Sequence, residues 1–301
     1  MLNDYISITP TRLAGLLEDD KVSVLERALN ITKDTKSKAK VSEFNELRKE
    51  FKQPITLENI DLSNKTLTGV NLESVIILHS NLSNTNLENS QLTNVQISGD
   101  VSNINLRYAN LSNADLTNAV LVNADLTNTD LSNADLRNAD LDNADLTNAY
   151  LGDADLTSAG LTNASLTNAD LSGAGAKALL FGADLTNADL FFADLSNAFL
   201  SDADLTDAIL TSSSLTDAIL TSSSLTDADL TNSSLTNAIL FNADLANADL
   251  RDSILTNADL TLTTLNGSIF NCKSLKTANL TGNTNQIHIV DSNNKEVSSC
   301  Q

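Results

Sequence analysis

Between Ile55 and Leu280 the chain repeats every five residues, and the repeat reads A-D-L-[ST]-N; Ala114-Asp115-Leu116-Thr117-Asn118 is a clean copy. A period of five suits neither regular secondary structure. In an α-helix, at about 100° per residue, each step of five turns the leucine by about 140°, so the leucines scatter around the axis. In a flat strand an odd step sends the leucine to the opposite face each time. Ala and Leu lie two apart, however, so a short extended segment points both the same way. Turning the chain at the Thr-Asn that follows brings the next Ala inward again. Small polar residues suit such turns. A turn after every repeat closes the chain into coils, which stack at the strand spacing of about 4.8 Å. The period therefore predicts a solenoid.

Weaker echoes set the number of sides. Leu179, Phe199, Ile219 and Ile239 replace the Asp at intervals of twenty. Four repeats per coil follow, giving a square with an inward Leu on each side and a small Ala beside it. Phe270, Ile77 and Ile97 replace the central Leu conservatively.

The A-[DN]-L-x-x pattern, met dozens of times, resembles the pentapeptide-repeat family over about three quarters of the chain. That resemblance implies an all-β solenoid, a right-handed quadrilateral β-helix, for residues 54–280. Members of the family often have no known biochemical role. The best understood resemble this chain in acidity; they are DNA mimics that bind type II topoisomerases.

Following the leucines exposes two phase slips. The central positions run from Leu57 to Ile97, continue one residue early through Val101 and Leu106 to Leu171, and resume at Leu180. Val95–Ser98 and Ala174–Lys177 are read as four-residue repeats on the same face, four coils apart. Roughly 46 repeats make about 11.5 coils, a rod of about 55 Å. The first coils carry Ile55, Ile60, Val70, Val75 and Val95 at the small inward position, so they are expected to be the least regular. Lys65 holds one such position and is expected to reach solvent at the end of the rod.

Both ends differ from the middle. In residues 1–53 the segments Thr11–Leu17, Lys21–Ile31 and Val41–Phe51 look helical, the last with Val41, Phe44, Leu47 and Phe51 on one face before Pro54. An open solenoid end needs covering, and this segment is expected to cap the first coil. A separate partner- or DNA-binding helical module is the alternative, with Lys33, Lys36, Lys38 and Lys40 otherwise read as a solvated linker. In the tail, residues 281–301, Gln286–Val290 is expected to add a last strand over Leu275 and Leu280. This weaker cap leaves end-to-end dimerisation open.

Charge narrows the function classes. The net charge is −21, yet residues 1–53 hold ten basic and nine acidic residues, leaving about −22 on rod and tail. Over about 55 Å that is one charge per roughly 2.5 Å, against one per about 1.7 Å for duplex DNA. Direct nucleic-acid binding by the rod is disfavoured. DNA mimicry is physically allowed, and solubility of a rod with exposed edges explains the same charge. With no signal peptide or membrane-spanning run, a cytoplasmic, reducing compartment is expected. Cys272 and Cys300 are then free thiols, with a bridge between them as the alternative.

Catalysis is not expected. The two histidines, His79 and His288, lie far apart, and no nucleophile motif, phosphate loop, metal constellation or cofactor signature is present. The aspartates are expected to sit outside, ionised by water. The informative surface is where the pattern breaks. Leu179, Phe199, Ile219 and Ile239, with Phe181 and Phe241 two positions after the first and last, form an outward apolar ladder if the register holds. It is the candidate site for an unknown protein partner or a second copy. The sequence thus favours a non-enzymatic interaction scaffold, with a gyrase-directed DNA mimic as the alternative.

Overall fold

The structure is a computed structural model, and it describes residues 37–49, 55–175, 178–276, 287–291 and 295–297. Each five-residue repeat makes one side of a coil. The central Leu carbonyl accepts the N–H of the Ala three residues on, as in Ala119 to Leu116 at 3.0 Å. The residue between them at the corner has positive φ, 59° at Asn118 and near 58° throughout. An i to i+3 bond with positive φ at the third residue is a type II turn, and Asn tolerates that conformation better than other non-glycine residues. This is why the repeat ends in Asn.

Successive coils exchange parallel backbone bonds: Leu116 N–H donates to Asp135 at 2.8 Å, and Asp135 N–H to Ala114 at 2.8 Å. The bridges link residues twenty apart, so four repeats close one coil. We number the faces by a central coil: face 1 carries Leu200, face 2 Leu205, face 3 Leu210 and face 4 Leu215. Leu and Ala side chains fill the interior from Ile55 to Phe270 as one continuous core. Where Ser or Thr replaces Ala its hydroxyl is buried, and Ser223, Ser233, Ser253, Thr263 and Ser268 each donate to a Leu carbonyl, Ser233 to Leu230 at 2.7 Å; the Ser213 hydroxyl makes no such bond.

Both phase slips lie where the leucine count places them. Gln96 bridges Asp115 and Gly175 bridges Asp194, each nineteen residues on, and Gly175, Asp155, Asp135, Asp115 and Gln96 form one column on face 4. At the first slip the chain bulges. Gly99 has φ +123°, and a Cβ there would lie 2.3 Å from the Ser80 carbonyl oxygen. While their other sides keep isolated bridges, the early coils carry continuous strands along face 4. These are β1 (Ile55–Glu58), β2 (Val75–Asn81) and β3 (Gln96–Asp100), paired in parallel with the irregularity between Ile77 and Ser80.

Two expectations for the start of the rod need correction. Lys65 is only 7% exposed and has a bonding partner, so it does not reach solvent; its inward register holds it inside the coil. The helix before the rod, α1, spans Ser37–Arg48, so Lys38 and Lys40 belong to a helix and not to a linker. Lys and Ala are good helix formers, and nothing there stops the turn. Val41 and Phe44 of α1 are buried in the rod's core cluster. Asn45 donates to Gly69 O at 2.8 Å and accepts from Asn71 N–H at 2.7 Å, and Arg48 donates to the Glu73 carbonyl at 2.5 Å. Thr11–Leu17, Lys21–Ile31, Phe51 and Pro54 lie outside the described residues.

At the far end β4 (Ile269–Asn271) continues the face 3 column and runs into a short helix, α2 (Cys272–Leu275). The strand β5 (His288–Val290) pairs in parallel with β4, Phe270 opposite Ile289. The tail strand thus extends face 3 beyond Ile269–Asn271. Cys272 is disulfide-bonded in place of the expected free thiol; Cys300 lies outside the described residues.

Candidate functional site

The aspartates before each Leu do more than face water. Asp115 Oδ1 accepts the N–H of Thr117 at 3.0 Å, and Asp204 Oδ1 accepts that of Thr206 at 3.0 Å. Each closes an Asx-turn over a backbone donor that the coil leaves open. In the first coils asparagine makes the same bond: Asn71 accepts from Glu73 and Asn110 from Ser112, both at 3.0 Å. Where this turn is closed it takes an acceptor and not a charge. The density of Asp is therefore a surface property added to the fold.

The hydrogen bonds hold some of these carboxylates ionised. Thr261 lowers the Asp259 pKa below the usual carboxylate range. Burial pushes Asp184 up, but bonds from Thr186 and Thr167 outweigh it and the net shift is downward. The Arg137 guanidinium lowers Asp135, while Arg137 also approaches Asp155 at 3.7 Å in the next coil. From residue 178 to 271 the rod carries thirteen aspartates and one cation, Arg251 on face 3.

The apolar departures fall together on face 1. Leu179 bridges Phe199, Phe199 bridges Ile219, and Ile219 bridges Ile239. These four rungs span about 14 Å at the strand spacing. Leu179 is 45% and Phe199 49% exposed; Ile239 is exposed and Ile219, between two rungs, half-buried. Phe181 and Phe241 are exposed in the neighbouring outward column, with Ser201 and Thr221 between them. No ladder residue can accept the N–H two positions on, so each gives up the bond that Asp supplies elsewhere.

Other exposed apolar residues give no twenty-residue echo, because the adjoining coils carry no apolar side chain at the same position. Phe191 and Phe192 meet edge to face at 4.3 Å on face 3, with Ile209 in the adjoining coil. Phe192 at φ 58° and Leu262 at φ 61° occupy corners normally held by Asn, and are 61% and 62% exposed. A bulky residue there is strained by about 1 kcal/mol or more. Their signal was the substitution at the corner position itself.

Among the described residues, no group of three or more His, Cys, Asp or Glu side chains could hold a metal ion. No helix there is long and apolar enough to cross a membrane.

The coils, their filled interior and their decorated faces define a β-solenoid repeat protein. The pentapeptide-repeat model matches residues 56–89, 102–138, 134–173, 183–221 and 218–257 in a total of eight copies. The chain belongs to the pentapeptide-repeat family, and its rod is the family's right-handed quadrilateral β-helix. Among solved structures it is similar to HetL, a pentapeptide repeat protein involved in heterocyst differentiation regulation from the cyanobacterium Nostoc sp. strain PCC 7120. That match is 33% identical over 73% of this chain and 91% of that one, with a TM-score of 0.44. Rfr23 from the cyanobacterium Cyanothece 51142 is 31% identical over 38% of this chain and 61% of its own, TM-score 0.23. QnrB1, a plasmid-mediated fluoroquinolone resistance protein, is 16% identical over 78% and 90%, TM-score 0.26. No curated protein matches the chain.

Proposed function

We propose that this chain is a non-enzymatic interaction scaffold that holds a protein partner on face 1, with α1 and the rest of residues 1–53 capping the first coil. The reading is carried by the ladder Leu179, Phe199, Ile219 and Ile239. Four stacked rungs replace a residue that closes a turn with side chains that cannot, and they leave apolar surface open to water. Packing between adjacent rungs half-buries Ile219, yet Leu179, Phe199 and Ile239 stay exposed. The bonds of Asn45 to Gly69 and Asn71 support the capping role, because they satisfy backbone groups beside the first coil.

Affinity capture from native lysate tests the partner reading, comparing the intact chain with a Phe199→Asp, Ile219→Asp variant. Asp100, Asp140 and Asp259 stand in the same column, so the variant retains the rod. A protein retained by the native chain and lost from the variant supports the reading. An identical set of captured proteins overturns it.

A second reading rests on the equivalence of Asn and Asp in the turn. A charge the fold does not require fits an acidic DNA mimic directed at a type II topoisomerase such as gyrase. A supercoiling assay decides: neither inhibition nor protection of gyrase across a concentration series removes this reading.

A further inference from the structure

We infer that the occupant of the face 1 ladder is a basic amphipathic α-helix lying along the rod axis. The inference rests on the partner reading above and gives that partner a chemistry.

Spacing is the first argument. The rungs Leu179, Phe199, Ile219 and Ile239 repeat at about 4.8 Å, whereas one helical turn rises about 5.4 Å. Over four rungs the two rows drift apart by about 2 Å, within the reach of side chains. Apolar residues at i, i+4, i+7 and i+11 thus meet one rung each. The second column adds relief. Phe181 and Phe241 stand at the ends and the small Ser201 and Thr221 lie between, leaving room for one large anchor.

Charge is the second argument. Asp202 and Asp217 flank the ladder at its two corners, and Asp184, Asp204 and Asp244 follow around the edge onto face 2. The only cation from residue 178 to 271, Arg251, is on face 3. An apolar strip with an acidic rim selects an apolar stripe with basic flanks.

Size and charge together disfavour a second copy. The five exposed ladder side chains offer roughly 450 Å² between them, against about 800 Å² per partner in a stable interface. Enlarging the contact would press two acidic rims together. A helix of three to four turns needs only the strip.

The test uses the full chain and labelled synthetic peptides of about 16 residues, roughly four turns. One has leucines at i, i+4, i+7 and i+11 with lysine flanks; a second has glutamate flanks; a third is the lysine peptide interrupted by a central proline, which breaks the helix. Binding is read by fluorescence anisotropy against the native chain and Ile219→Asp. The lysine peptide is expected to bind, and to weaken about tenfold or more with Ile219→Asp, with glutamate flanks and with proline. Equal binding to Ile219→Asp overturns the inference, because a polyanion attracts any cation. Equal binding of the proline peptide overturns the helix. A native dimer that Ile219→Asp makes monomeric, by light scattering, assigns the ladder to a second copy and overturns it too. If no peptide binds while a lysate protein is still lost from the variant, the helix inference falls and the partner reading stands.

Discussion

Replacing Asp204 separates the two tasks its carboxylate performs. Oδ1 accepts the Thr206 N–H at 3.0 Å, and the residue stacks on Asp184 in the adjoining coil. The Thr206 hydroxyl donates to the same oxygen, so Asp204→Ala loses two hydrogen bonds, at a cost of about 2 kcal/mol. Asp204→Asn keeps an acceptor and removes a charge about 4.8 Å from its neighbour, a repulsion of about 0.9 kcal/mol in water. A Debye length of about 8 Å at physiological salt cuts that roughly in half. Urea unfolding followed by circular dichroism, at low and high salt, reads both. Asp204→Asn should be more stable than the native chain at low salt, with the gain shrinking as salt rises. Asp204→Ala should fall below Asp204→Asn at every salt concentration. If the two variants are equally destabilised, the charge itself is structural, and the claim that acidity is separable from the fold fails.

Gly99→Ala should be among the most damaging small substitutions in the rod, by roughly 3 kcal/mol or more from strain and overpacking, since its Cβ would meet Ser80 O at 2.3 Å; the urea midpoint measures it. Leu225→Ala, fully buried in mid-rod, should cost about 3–5 kcal/mol in the same assay, while the exposed corner change Asn232→Gly should cost little. The depressed pKa values of Asp184 and Asp259 fix a sign for acid. The unfolded chain binds protons first, so their stabilisation is complete above the unfolded carboxylate value of about 4 and is lost as pH falls through the lower folded values. Asp184→Asn and Asp259→Asn together should flatten the fall in urea midpoint below about pH 4.

The sequence revealed whatever repeats. The leucine period led to the coil, the twenty-residue echoes to the square section, and the leucine count to both slips, because each depends on a position recurring in every coil. The bridges among Leu179, Phe199, Ile219 and Ile239 match that register. Single events were hidden. The burial of Lys65 and the place of Lys38 and Lys40 in α1 have no counterpart in any other coil, so no period encodes them. Phe192 and Leu262 have no bulky counterpart at the same corner of the adjoining coils, so no echo points to them. The Asx-turn is hidden for another reason: an aspartate that caps a turn and one that only faces water are spelled alike.

The nineteen-residue turns at Gly99 and near Gly175 behave as dislocations that heal within a single layer. On either side the columns run on unbroken, from Asp61 through Asn81, Asp100 and Val120 to Asp259. A lattice that absorbs a missing residue in this way can also accept whole sides. The chain carries a sign of such growth: Thr206–Leu215 and Thr216–Leu225 are identical, TDAILTSSSL twice. Ten residues are half a circuit, so the copy sets Ile209 on face 3 and Ile219 on face 1. One duplication therefore wrote the same letter on opposite sides of the rod, and only on face 1 did it join a row already in place.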